Sequence, residues 1–181
     1  AGHVETAPVS NESGVKDAQS ALDKVLNDPS ATIEEINDAT TALENAVDTA
    51  NAARDSANSN ADTAISNAQG TPQINEPAVQ EAVEKLQELQ NNAANDSSSA
   101  LTQDILDAIQ ELSDTVAEAA RDKQEAVLAA ENALSQTKPV SNESATAKAI
   151  SDLQALLADE NSTAEAVRDA TKALTAATAS D

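Results

Sequence analysis

The stretch IEEINDATTALENAVDTANAARDSANSNADTAISNAQ, residues 33–69, contains neither proline nor glycine. Along it, Ile33, Ile36, Thr40, Leu43, Val47, Ala50, Arg54, Ala57, Ala61, Ala64 and Ala68 follow one another in alternating steps of three and four. That alternation holds one face of an α-helix in register and is the seam of a coiled coil or an antiparallel bundle. Thr32 and Glu35 stand at capping-box spacing ahead of it, so a helix opens at Ile33. Glu34 and Glu35 occupy the first turn, where the helix dipole favours negative charge. Gly70-Thr71-Pro72 closes the run. The expectation is one helix over the whole stretch, roughly 55 Å long at 1.5 Å per residue.

Working outward, the same pattern recurs. Pro8-Val9-Ser10-Asn11-Glu12-Ser13 is repeated letter for letter as Pro139-Val140-Ser141-Asn142-Glu143-Ser144, an offset of 131 that holds without a gap from residue 8 to the end. A third copy lies between. Ile36, Asp38, Ala39, Leu43 and Val47 match Ile105, Asp107, Ala108, Leu112 and Val116 at offset 69, whereas Val15, Ala18 and Leu22 match Val79, Ala82 and Leu86 at offset 64. The middle copy therefore has a longer loop, residues 92–100, and the repeat is of the length that builds serial arrays. Each copy pairs a short helical segment with a longer one. Pro77 after Asn75-Glu76 reads as a first-turn proline. Asp28-Pro29-Ser30 and Pro139 with its Ser and Asn neighbours are breaks. No useful run alternates apolar and polar residues, so no strands are expected.

Residues 51–69 and 120–138 align with each other without gaps. The economical arrangement splits each long helix between two units, its first half closing one bundle and its second half opening the next. The fold class expected is all-α, with tandem antiparallel three-helix bundles joined by shared long helices into an extended rod. The expected division is an N-terminal linker at 1–12, a helical hairpin at 13–50, and three-helix repeats at 51–119 and 120–181. The hairpin is a partial repeat, so its apolar face is expected to pair weakly with another chain. Arg54 and Lys123 interrupt the seam at equivalent positions and are expected to snorkel at a junction between bundles.

Composition taken alone points elsewhere. Of 181 residues, 40 are Ala and only 32 are Val, Ile or Leu, with a net charge of -22, which is the profile of a disordered chain. The sustained seam argues against disorder. The same composition closes off several functions. No aromatic residue is present, so there is no stacking platform or cation–π cage. The negative charge repels phosphate backbones, and no nucleic-acid partner is expected. With no Cys and a single His, His3, zinc, iron–sulfur and haem sites and His-based nucleophile systems are excluded. No run of apolar residues is long enough to insert in a membrane.

The passages ALDKVLNDPSATIEEINDATTALENAV (21–47) and DLQALLADENSTAEAVRDATKALTAA (152–177) resemble FIVAR modules, the three-helix repeats of large Gram-positive surface proteins and modular secreted glycosidases. They are also similar to the helical repeats of the giant staphylococcal matrix-binding protein. The shared pattern is an Ala/Leu helix, an acidic Ser/Thr turn, and a helix carrying Asp-Ala-x-x-x-Leu. The resemblance implies an extracellular, wall-attached parent protein whose repeats extend a binding head away from the cell.

No residue stands out as catalytic, cofactor-binding or metal-binding, and no ligand-binding residue can be named. His3 is expected to be terminal and unstructured. Asn11, Asn95, Asn142 and Asn161 begin sequons, in about the number that composition alone produces. Asp28, Asp96, Asp159 and Glu160 lack the ligand spacing and glycine of a calcium loop. Glu34/Glu35 and Glu81/Glu84 are expected on exposed helix faces, away from any pocket that general acid–base chemistry requires. The expected function is a non-enzymatic stalk or spacer segment of a surface adhesin, without cofactors. Two other readings stand beside it: a module that itself binds a host matrix protein or glycan, and a spacer in a secreted glycosidase.

Overall fold

A computed structural model of the chain describes residues 4–95, 100–138 and 144–180. His3, Asp96, Asn142 and the Pro139 break lie outside the described residues. Those described are all-α, with no strand among them. Their elements are α1 (Ser13–Leu26), α2 (Ile33–Gln69), a 3-10 turn (Pro72–Asn75), α3 (Pro77–Ala93), α4 (Thr102–Gln136), α5 (Ala145–Ala158) and α6 (Ala164–Ser180). No described helix is long and apolar enough to cross a membrane.

Local chemistry sets the helix starts. At α2 the reciprocal box forms: the Glu35 amide donates to Thr32 Oγ1 at 3.1 Å, and the Thr32 amide donates to Glu35 Oε2 at 2.8 Å. Two otherwise orphaned donors are thereby satisfied. Ahead of α4, the Leu101 amide donates to Asp104 Oδ2 at 2.7 Å, and Asp104 is the counterpart of Glu35. At α6 the Ala166 amide donates to Thr163 Oγ1, but Ala166 stands where the other copies carry a carboxylate. Ser144 caps α5 through the Ala147 amide. α2 runs unbroken for 37 residues because nothing in it removes a backbone donor or demands a left-handed turn.

The chain divides into two compact units, residues 1–64 with 84–110, and residues 65–83 with 111–181. In the first, Val9, Val15, Leu43 and Val47 form a buried cluster, with Val4, Ala18, Leu22, Ala46 and Ala50 packed around it. Val9, within the stretch 1–12, is thus core, and it covers the base of the α1–α2 hairpin. In the same unit Ala57 and Ala61 of α2, Leu86 and Ala93 of α3, and Ile105 and Ala108 of α4 are buried. Gln90 of α3 donates to Asp62 Oδ1 of α2 at 2.9 Å.

In the second unit Ala126 and Ala130 of α4 pack with Ala149 and Leu153 of α5 and with Ala164, Val167 and Leu174 of α6. A face of alanines meets Leu and Val side chains, which permits helix axes toward the close end of about 8–10 Å. Such contacts remove little area from water per residue, and alanine's helix propensity partly offsets that. Arg168 of α6 pairs with Asp122 of α4 at 3.2 Å on the surface. Seam positions across α2 are buried or half-buried with one exception, Ile33, which is 79% exposed.

Candidate functional site

The most concentrated polar chemistry lies where cations interrupt the apolar seam. Arg54, midway along α2, is only 4% exposed. One terminal nitrogen donates to the carbonyl oxygens of Pro8 and Ala93, both at 2.7 Å. The other donates to Ala100 O at 3.0 Å and to Glu12 Oε1 at 2.8 Å. Nε–H points at Thr102 Oγ1 at 3.5 Å. A guanidinium has five N–H donors in a fixed fork, and all five meet an acceptor here. Arg54 is therefore not a snorkelling side chain. It stays inside because the C-terminus of α3, the segment leading into α4 and the segment before α1 all turn carbonyl oxygens toward it.

Glu12 completes the arrangement. Its Oε1 also accepts from the Thr102 amide at 2.7 Å and the Thr102 hydroxyl at 2.6 Å. Burial by itself would push this carboxyl up, but the two Thr102 donors and the Arg54 guanidinium together hold it below the usual carboxylate range. The carboxylate thus caps the N-terminus of α4 across 90 residues of sequence.

The second unit builds the same device with other residues. Lys123, the counterpart of Arg54, is half-buried. Its Nζ donates to Glu160 O at 2.8 Å and to Ser162 O. The repeat registers make Ala93 equivalent to Glu160 and Ala100 equivalent to Ser162. Glu76, the counterpart of Glu12, accepts from the Ala164 amide at 2.6 Å, and Ala164 is the counterpart of Thr102. In both units, then, a cation seals the loop between a short helix and the next, and a glutamate caps the helix that follows. The equivalence of Arg54 and Lys123 was legible in the sequence. The roles of Glu12 and Glu76 were missed, although the recurring Asn-Glu before each short helix was their signal.

The other candidate residues remain apart. Glu34, Glu35, Glu81 and Glu84 are exposed, and Glu35 is engaged by Thr32. Asp28 closes a local turn by accepting from the Ser30 amide and hydroxyl, which lowers its pKa. Asp159 accepts from the Asn161 amide at 2.9 Å. Asn95 and Asn161 are exposed and Asn11 is half-buried. Among the described residues no group of three or more His, Cys, Asp or Glu could hold a metal ion. One open groove in the second unit is lined by Glu76, Thr115, Glu118 and Asp122. Compared with family models, curated proteins and solved structures, the chain matches none.

Proposed function

We propose that the chain is a non-enzymatic helical spacer, a stalk segment of a bacterial cell-surface adhesin that projects a binding region away from the wall. The observation that carries this is the recurrence of one interlock, Glu12 with Arg54 at the start of α4 and Glu76 with Lys123 at the start of α6. A device that couples each repeat to the next by the same contacts is what a serial array requires. The polar groups at these positions are consumed by backbone caps, so they support architecture rather than chemistry. An uninterrupted α2 fits tandem three-helix bundles sharing their long helices. The extracellular, wall-attached setting rests on the resemblance of residues 21–47 and 152–177 to surface-protein repeats. A net charge of -22 would keep neighbouring stalks apart.

Small-angle scattering of the full chain tests the reading. A compact globule of this length has a radius of gyration of about 16 Å. A stalk gives a value well above that and a skewed distance distribution. A profile near the compact value would overturn it.

A further inference from the structure

The three copies invite a like-for-like comparison of one feature, the loop end of each short-helix–long-helix pair. In the middle copy that end is closed: Thr102 is 9% exposed, and Leu86 and Ile105 are buried. In the last copy it is closed again: Ala164 is 2% exposed, and Leu153 and Val167 are buried. In the first copy the counterparts are Ile33, Leu22 and Ile36. Ile33 is 79% exposed, Leu22 and Ile36 are only half-buried, and the neighbouring Leu26 is 51% exposed. The side chains are larger than or as apolar as their counterparts, yet they are less covered.

The polar groups tell the same story. Ala93 O and Ala100 O receive Arg54, and Glu160 O and Ser162 O receive Lys123. Their counterparts in the first copy are Pro29 O and Ala31 O, and among the described residues no donor reaches either. The Thr102 and Ala164 amides are capped by Glu12 and Glu76. Their counterpart, the Ile33 amide, meets no acceptor among the described residues. That end therefore shows the same two carbonyls, the same amide and a more apolar floor, and among the described residues no cation, capping carboxylate or covering helix reaches it.

We infer that the loop end of α1 and α2 is a docking face for an alanine-rich helix carrying Arg or Lys, supplied by a further repeat of this kind. The occupant is named by the two faces that are already filled. Each receives its cation from an alanine-rich helical stretch of its own unit, residues 51–64 with Arg54 in one case and residues 120–136 with Lys123 in the other. Small side chains behind the cation let such a helix approach Leu22, Leu26 and Ile36 closely. The cation suits the Pro29 and Ala31 carbonyls and the nearby Asp28. This inference deepens the stalk reading by naming the partner of one end, and it rests on that reading for its biological sense.

The test adds a blocked synthetic peptide of residues 51–70 to the isotope-labelled full chain and follows amide and methyl resonances. Binding should move Leu22, Leu26, Ile33, Ile36 and residues 28–31. A peptide carrying Arg54→Glu should bind about tenfold or more weakly. The full-chain variant Ile33→Asp should lose the response while keeping its melting temperature, since Ile33 is exposed. No perturbation, perturbation centred on α3 instead, or equal binding by the charge-reversed peptide would overturn the inference. So would concentration-dependent shifts of the same residues without peptide, which would make a second copy the occupant. A compact scattering profile with peptide binding intact would sink the stalk reading alone; a rod without peptide binding would sink only the docking face.

Discussion

Arg54 and Lys123 stand at the same place in the repeat and solve the same problem with different reach. Arg54 is buried, meets acceptors with all five donors, and draws Glu12 into direct contact. Lys123 is half-buried and serves two carbonyls of a single loop, while Glu76 caps Ala164 without it. The contrast follows from the head groups. A planar guanidinium can bridge four chain segments at once, whereas an ammonium is a compact point charge with three donors. The middle copy's loop is also the longest, and its two carbonyls, Ala93 and Ala100, lie further apart in sequence than Glu160 and Ser162. Stability should accordingly hang on the first device more than on the second.

The largest break should be Arg54→Met. It leaves the half-buried Glu12 without its cation and removes the donor that the Ala93 and Ala100 carbonyls share. A cost of about 3–5 kcal/mol is expected from losing one partner of a buried pair, read as a fall in the urea midpoint. Lys123→Met should cost less, about 1 kcal/mol, because the ammonium is only half-buried and one of its two acceptors, Glu160 O, lies on an exposed residue. Equal losses would remove the distinction drawn between the two. Arg54→Lys should fall between them, since three donors cannot satisfy five acceptors.

Acid should sharpen the same comparison. The Glu12 carboxyl titrates below its ordinary value in the folded chain. Its contribution is thus complete above the unfolded value near 4.5 and is lost as pH falls through the lower, folded value. The stability gap between the native chain and Glu12→Gln should therefore narrow on acidification, and urea melts along a pH series measure it. A gap that widens in acid would contradict the assigned role. The difference between the two proteins matters because protonating the remaining carboxylates also relieves repulsion in both.

Smaller effects are expected further out. Thr32→Ala removes one half of the capping box and should cost about 1 kcal/mol, visible as a modest drop in melting temperature. Added salt should raise the melting temperature slightly by screening the net charge of -22. A flat or falling trend between low and moderate salt would show that self-repulsion is not a significant load on the fold.

Much of this architecture was readable from spacing. The seam from Ile33 to Ala68, the Thr32–Glu35 box and the breaks at Gly70 and Pro77 are local patterns whose physics acts within a few residues. The fate of Arg54 was not readable in the same way. A cation in an apolar seam looks like a snorkelling side chain until its acceptors are known, and those acceptors lie 39 to 48 residues away. Val9 was equally hidden, because a lone valine between Pro8 and Ser10 carries no periodicity.

The sequence by itself determined helices, their starts, and a repeat in three copies, since periodicity and capping are short-range properties written into neighbouring residues. Only the tertiary structure decided which backbone carbonyls would be left without partners, and in which place a charged side chain could be buried to meet them. Burying a charge is tolerated only where distant segments converge to supply every hydrogen bond it needs.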